Sequence, residues 1–276
     1  MNPIFSDTKP HIVFHTAAFK HVSLLEHFPY QAIKNNLFGT VLLADLSLKN
    51  KVEKFIFIST DKAVDPIGVM GLTKRIPEIY LQSFNSNNRS TTQFIITRFG
   101  NVLGSSGSVY SIFKKQIENK QSISITHPEV SRYFMTLSEA SQLVLEAAAI
   151  GNGGEILIFK MGDPIVIIDL AKRMTELAGL VPGKDIKIKY TGLREGEKLH
   201  EALFHDDEIF TVTYHPYIQI VHFSDTCTID IHAIIAFIHE AMKTANSEQL
   251  FYILKSSLKK PAILNSLSSR FNHRII

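Results

Sequence analysis

The chain has no tryptophan and a single cysteine, Cys227, in 276 residues. One cysteine excludes an internal disulfide, and no Cys/His cluster has the spacing of a zinc site. A reducing, cytoplasmic setting fits that usage. No run approaches the roughly 20 apolar residues of a membrane span. Residues 1–7 lack the basic region and apolar core of a signal peptide. Charge of one sign is not concentrated anywhere. The formal net charge is +3, and no aromatic platform interleaves the lysines and arginines, which excludes the usual nucleic-acid signature. The 12 histidines are scattered. His11 and His15 have the spacing of a helical metal pair, but they lie on a strand-like run. There they stand roughly 13 Å apart, too far to share one ion. No metal site is expected.

What remains is an ordinary globular composition, 45% apolar and 20% charged, in a chain long enough to bury a core. Apolar strand-like runs at residues 11–15, 54–58 and 93–98 alternate with helix-like stretches at 22–48, broken at Pro29, and at 69–84. That alternation is the parallel α/β signature. Further helices are expected at 109–119, at 138–150 with either Ser138 as N-cap or Leu137 beginning the turn, and at 167–180, 230–244 and 247–258. Strands are expected at 122–126, 155–160, 186–190 and 217–221, and a short helix after the charged loop 192–198. Residues 85–91 read as a polar loop, and the basic tail after Lys259 reads as frayed. Asn35 and Asn36 are poor helix formers in an apolar context. Such amides need partners, either the neighbouring strand ends or water.

Three stretches carry candidate chemistry. The strand at 54–58 ends abruptly in Ser59, Thr60, Asp61 and Lys62, followed by a turn at Pro66 and Gly68 and a helix bearing Lys74. Open α/β sheets place ligands beyond the C-terminal ends of their strands. Thr16, Ala17 and Ala18 end the first strand with small side chains, which suit either a flat ligand or close helix packing. Residues 99–108 (Phe-Gly-Asn-Val-Leu-Gly-Ser-Ser-Gly-Ser) could cradle a phosphate, although their glycine spacing is not the dinucleotide fingerprint. Taken alone, Asp61 and Lys62 would be a surface ion pair of little worth.

Several stretches in one order make a more specific pattern: His-Thr-Ala-Ala-Phe-Lys-His-Val, Asn-Asn-Leu-Phe-Gly-Thr, Ile-Ser-Thr-Asp-Lys-Ala-Val, Val-Met-Gly-Leu-Thr-Lys-Arg, Arg-Phe-Gly-Asn-Val-Leu-Gly-Ser-Ser-Gly-Ser-Val, Ser-Arg-Tyr-Phe-Met-Thr and Gly-Leu-Arg-Glu-Gly-Glu-Lys-Leu. Over about residues 10–205 the chain resembles the CapD-type polysaccharide-biosynthesis proteins. These are nucleotide-sugar 4,6-dehydratases of the extended short-chain dehydrogenase/reductase superfamily. The resemblance implies an α/β, Rossmann-like parallel sheet, N-terminally truncated, with a smaller C-terminal substrate lobe. It divides the chain into an incomplete NAD(P)-binding domain at 1–205 and a mostly helical extension at 206–276.

The resemblance further implies NAD or NADP as cofactor and a UDP-N-acetylhexosamine as substrate. Asp61 and Lys62 match the family's acid and base, with Thr60 beside them. Lys74 matches the lysine that binds the cofactor ribose. Ala17, Ala18, Lys20 and Ser59 match cofactor-side positions. Asn101, Ser106, Arg132, Arg194 and Glu197 match positions that hold the nucleotide diphosphate and its ribose. In that role Asp61 must keep a proton against a reference pKa of about 3.9, and Lys62 must lose one against about 10.4. Burial pushes both in the useful direction, while the charge of each opposes the other.

The chain departs from the pattern in two ways. Met70 stands where the superfamily usually has a catalytic tyrosine, as the membrane-anchored branch also tends to have. The glycine-rich first turn, the adenosine-side acid and the membrane anchor have no counterpart here. The expected assembly is a homo-oligomer or a chain missing its N-terminal portion, with a cytoplasmic location or one peripheral to the inner face of the membrane. A chain that keeps UDP-sugar binding without catalysis, or that needs a partner chain, is the alternative. Another extended reductase or epimerase ranks below both, because the Asp-Lys pair replaces their usual groups.

Overall fold

The computed structural model describes residues 2–85, 91–205, 208–223 and 230–258. The predicted polar loop, the basic tail and Cys227 lie wholly or largely outside these residues. Strand β1 (Ile12–His15) leads through helix α1 (Val22–His27) and a bent helical stretch into α2 (Gly39–Lys49). Then come β2 (Lys54–Ile58), α3 (Val69–Asn85), β3 (Gln93–Arg98), α4 (Val109–Glu118), α5 (Leu137–Ile150), β4 (Ile156–Phe159) and α6 (Ile167–Leu177). A hairpin of β5 (Glu208–Val212) and β6 (Ile218–Phe223) precedes α7 (Ile231–Ala241) and α8 (Ser247–Ser257).

These six strands form one sheet in the order β1-β2-β3-β4-β6-β5. The first four are parallel, and the hairpin adds antiparallel at the β4 edge. Alternation along the strands feeds two cores. Phe55, Phe57, Phe94, Ile96, Ile156 and Ile158 pack with α3, α7 and α8. Ile56, Ile95, Leu157 and Phe159 pack with Ala140, Leu143 and Ala147 of α5 on the other face. Burial on both faces explains why these strands read as continuous apolar runs. In α3, Leu72, Ile76 and Tyr80 recur on one buried face, and the helix runs through Pro77 despite a typical cost of about 3 kcal/mol.

The smaller lobe has its own core of Phe113 and Ile117 of α4, Ile167 and Ala171 of α6, and Ile123, Ile125 and Ile186. Short parallel strands Ile123–Ile125 and Ile188–Tyr190 run between the two helices. The lobe is therefore built from residues before 200. The expected boundary at residue 205 falls inside shared packing: β5 and β6 extend the main sheet, and α7 and α8 share the core of β1–β4. Two local expectations also change. Thr136, not Ser138, caps α5, because Thr136 and Glu139 complete a reciprocal capping box. The segment after residue 192 forms turns, with no helix. Strand β5, unforeseen in the sequence, exists because the hairpin brings it against β6.

A buried ion cluster ties these layers together. Arg98, at the end of β3, is fully buried and bonds Glu78 of α3 at 2.8 Å and Glu208 of β5 at 3.0 Å. Arg75 reaches Glu78 at 2.7 Å, and the Ser59 hydroxyl donates to the same carboxylate at 2.5 Å. Removing one partner of such a cluster strands a buried charge, at a typical cost of about 3–5 kcal/mol. Arg98→Met should therefore lower the urea-unfolding free energy by about that amount. A loss below about 1 kcal/mol would show that the cluster does not hold the hairpin.

Candidate active site

The site begins where β2 stops. Thr60 is extended, and its hydroxyl accepts from the Lys62 amide, capping a single 3-10 turn at Asp61–Ala63. That turn resolves the geometric problem posed by adjacent functional residues. On a strand they would point to opposite faces, but here the Lys62 ammonium folds back to the Asp61 carboxylate at 2.9 Å. Gly71 of α3 leaves room for this turn, since a Cβ there would run into the Lys62 carbonyl. Gly100 does the same for Asp61: an added Cβ would sit 3.1 Å from its Oδ2.

Asp61 is fully buried. Its Oδ1 accepts from the Thr60 hydroxyl at 2.8 Å and from Lys62 Nζ at 2.9 Å, while Oδ2 has no partner among the described residues. Lys62 Nζ also donates to Asn101 Oδ1 at 3.2 Å and lies 3.5 Å from Glu201 Oε1. Burial pulls the Lys62 pKa down, but Asp61 and Glu201 together outweigh it and hold the pKa above its ordinary value. Lys62 thus rests as an ammonium. Glu201, a second carboxylate beside the lysine, carries no signal in the sequence that marks it as part of the site.

Lys74 is the opposite case. It is buried in α3 with Nζ 4.0 Å from the centroid of Phe57. Burial depresses its pKa to about 7 against the opposing pull of Glu78. Among the described residues its ammonium finds no hydrogen-bond acceptor, and it lines the cleft. A ligand hydroxyl offered there would satisfy it.

Asn36 lies on a π-helical turn, Ile33–Phe38, a feature often found at functional sites. Its side-chain amide makes a reciprocal pair with the backbone of Phe19, at 2.8 and 2.9 Å. Of the two readings of these amides, Asn36 therefore anchors the loop after β1. Thr40 donates to the Asn36 carbonyl at 2.6 Å, so its oxygen is left to accept from His15 Nε2 at 2.8 Å. Glu26 of α1, another residue without a sequence signal, accepts from the first amide of α3 at 2.7 Å. It thereby joins the two helices beside the cleft.

The cleft itself has a volume of about 810 Å³, within the range of small-molecule sites. Ala18, Lys20, Ser59, Thr60, Lys62, Met70, Lys74, Asn101, Arg132, Arg194 and Glu197 line it. Ala17 and Ser106 do not; both are exposed, and Ser105, Gly107 and Ser108 provide the wall instead. Asp61 sits behind Lys62. Arg132 is largely committed to the protein: it bonds Glu197 at 3.0 Å and the carbonyls of Ser131, Leu199 and Lys198. Glu197 also accepts from Thr126 and from the Arg194 amide. These two expected ligand contacts thus clamp the loop 194–199, and the Arg194 side chain is left exposed at the rim.

A parallel sheet with a polar cleft at its strand ends and a small second lobe beside it defines a Rossmann-like α/β chain. The chain belongs to the family described as "Polysaccharide biosynthesis protein", which matches residues 1–223. It is 50% identical over 206 residues to the capsular polysaccharide biosynthesis protein CapD of Staphylococcus aureus, covering 75% of this chain and 34% of CapD. It spans only about a third of that relative's length. Among solved structures, Pen from Bacillus thuringiensis matches with TM-score 0.70 and 37% identity, covering 77% of this chain and 66% of Pen. A UDP-glucose 4-epimerase of Thermotoga maritima, solved with UDP-glucose, matches with TM-score 0.66 and 25% identity, covering 74% and 72%.

The His15 contact has a pH consequence. Burial, and then the Lys74 charge, lower its pKa to about 4 from 6.5. Between those values the unfolded chain binds more protons, so His15 erodes stability as pH falls from 6.5 towards 4. His15→Gln keeps a donor for Thr40 and should recover up to roughly 3 kcal/mol of the acid loss. Urea unfolding of both proteins across that window checks this, and parallel pH profiles would contradict it.

Proposed function

We propose that the chain modifies a nucleotide sugar for surface-polysaccharide synthesis. The specific reaction is the 4,6-dehydration of a UDP-N-acetylhexosamine, with NAD or NADP as cofactor. One observation carries the reading: a buried Asp61 is within hydrogen-bonding distance of the Lys62 amino group and the Thr60 hydroxyl, and these two line a cleft of the size of small-molecule sites. The family membership and the likeness to an epimerase solved with UDP-glucose support the substrate class.

A bound nicotinamide would supply a reversible hydride acceptor for C4 of the sugar. Lys74, with its unsatisfied ammonium, and Ser59 would hold the adjoining ribose, with Ala18 and Lys20 on the same side. With a carbonyl at C4, the C5 proton becomes acidic. Lys62, in its amine form, removes that proton, and Asp61, which does not itself line the cleft, supplies one to O6 through the Thr60 hydroxyl as O6 leaves as water. A shift of one proton across the 2.9 Å Lys62–Asp61 contact produces both reactive forms at once. The pair is neutral overall before and after the shift. A substrate that excludes water favours the uncharged arrangement. Met70 cannot exchange protons, and Asp61 already holds the proton shifted from Lys62, so the C4 hydroxyl proton leaves through Thr60 or a water to solvent, which returns one proton to Lys62 at the end of the cycle.

Lys62→Ala should reduce dehydration by about 10²–10⁴-fold while leaving UDP affinity within a few-fold of the parent. Retained turnover would remove Lys62 from the mechanism. Calorimetric titrations of UDP and of NAD into the full chain separate the main alternative. Saturable binding of both supports the enzyme. UDP binding without NAD binding identifies a non-catalytic sugar-nucleotide lobe or one that needs a partner chain.

A further inference from the structure

Glu201 is the one carboxylate beside the acid–base pair to which no role has been given. It sits three residues beyond Lys198, and its carboxylate is almost wholly buried. Oε1 lies 3.5 Å from Lys62 Nζ, and Oε2 is 4.0 Å from Lys198 Nζ with no hydrogen-bond partner among the described residues. The Lys198 ammonium is held instead by the Val64 carbonyl at 2.6 Å. A second cavity of about 10 Å³ borders Glu201, Lys62, Lys198 and Met70, about the size of one water. Glu201 therefore sits beside Lys62 with its carboxylate almost wholly buried, bordering both the main cleft and this small cavity.

We propose that Glu201 is a positioning residue that decides which member of the Asp61–Lys62 pair carries the shared proton. The inference rests on reading Lys62 as an acid–base group. Within the pair the ammonium–carboxylate and amine–acid forms have the same net charge, so the surroundings choose between them. Arg132 and Lys198 are cations near Lys62 and favour the amine. Asn101 Oδ1 accepts from the ammonium and favours the charged form. Asp65 is a more distant carboxylate that acts on Lys198. Glu201 adds a second carboxylate 3.5 Å from Nζ. Burial of the lysine acts the other way, and Glu201 is the largest charge outside the pair that opposes it. Glu201 keeps the resting lysine charged, so the amine forms only when a bound ligand changes the balance.

The test reads the amine directly and needs no turnover. Lys62 in the full chain, without substrate or cofactor, is labelled with limiting acetic anhydride across an alkaline pH series, and its peptide is quantified by mass spectrometry. Glu201→Gln keeps the shape and removes the charge. Its labelling midpoint should fall by roughly 1 pH unit or more, a labelling rate about 10-fold higher at fixed pH below the midpoint. Glu201→Asp retracts the charge and should give an intermediate midpoint. Circular dichroism establishes that each variant is folded. A folded Glu201→Gln protein with the parent's midpoint overturns the proposal. If only Glu201→Asp folds, an unshifted midpoint there overturns it equally. Because the readout is the lysine itself, a shifted midpoint in a protein that does not turn over UDP-sugars would sustain this inference while defeating the dehydratase reading.

Discussion

The guanidinium of Arg98 is the interaction on which the rest of the fold converges. It is wholly buried at the end of a central strand, between Glu78 of α3 and Glu208 of the hairpin. A buried arginine is tolerable only when its charge is matched and its donors are used. That requirement places α3 against β3 and brings residue 208 back across the sheet. The same Glu78 carboxylate receives the Ser59 hydroxyl, so the polar edge of the cleft is anchored to the most constrained charge in the molecule. Lys74 lies one helical turn before Glu78 and inherits its position from that arrangement.

Two buried lysines then show how little burial alone decides. Lys62 and Lys74 both leave water, and in both burial lowers the pKa. Lys62 meets Asp61 and Glu201 and is held charged. Lys74 meets the face of Phe57 and a single carboxylate at helical spacing, and falls to about 7. The pair gives the cleft one firm cation and one that titrates near neutrality. Such a division suits a site that must both move protons and hold a polar ligand. Asn36 and Glu26 complete the frame from the other wall, fixing the loop after β1 and the start of α3 through backbone groups.

The strands of the parallel sheet were readable because both faces are buried, leaving uninterrupted apolar runs at 54–58 and 93–98. The pairing of Asp61 and Lys62 was legible only through the resemblance, since taken alone they read as a surface ion pair; Pro66 and Gly68 showed that the strand ends early enough for the two to face one site. The role of Arg132 and Glu197 was not. Each is a residue type suited to a diphosphate or ribose, and only their mutual contact shows them clamping a loop. Ser106 and its neighbours are chemically alike, so the sequence could not say that Ser105 and Ser108 face the cleft while Ser106 faces out. Strand β5 escaped notice because its pairing with β6 supplies the order that its own short alternation does not.

Local structure, then, was determined by the sequence alone: the βα alternation, the end of β2 in polar residues and the methionine at position 70. These depend on neighbours within a few residues, where periodicity and turn propensity act. The tertiary structure decided which charges surround Asp61 and Lys62. Glu201 is far from Lys62 along the chain and 3.5 Å from it in space. Electrostatic interaction falls with distance and dielectric, not with sequence separation. Only the packing of loop 194–201 against the 3-10 turn could bring that second carboxylate to the lysine.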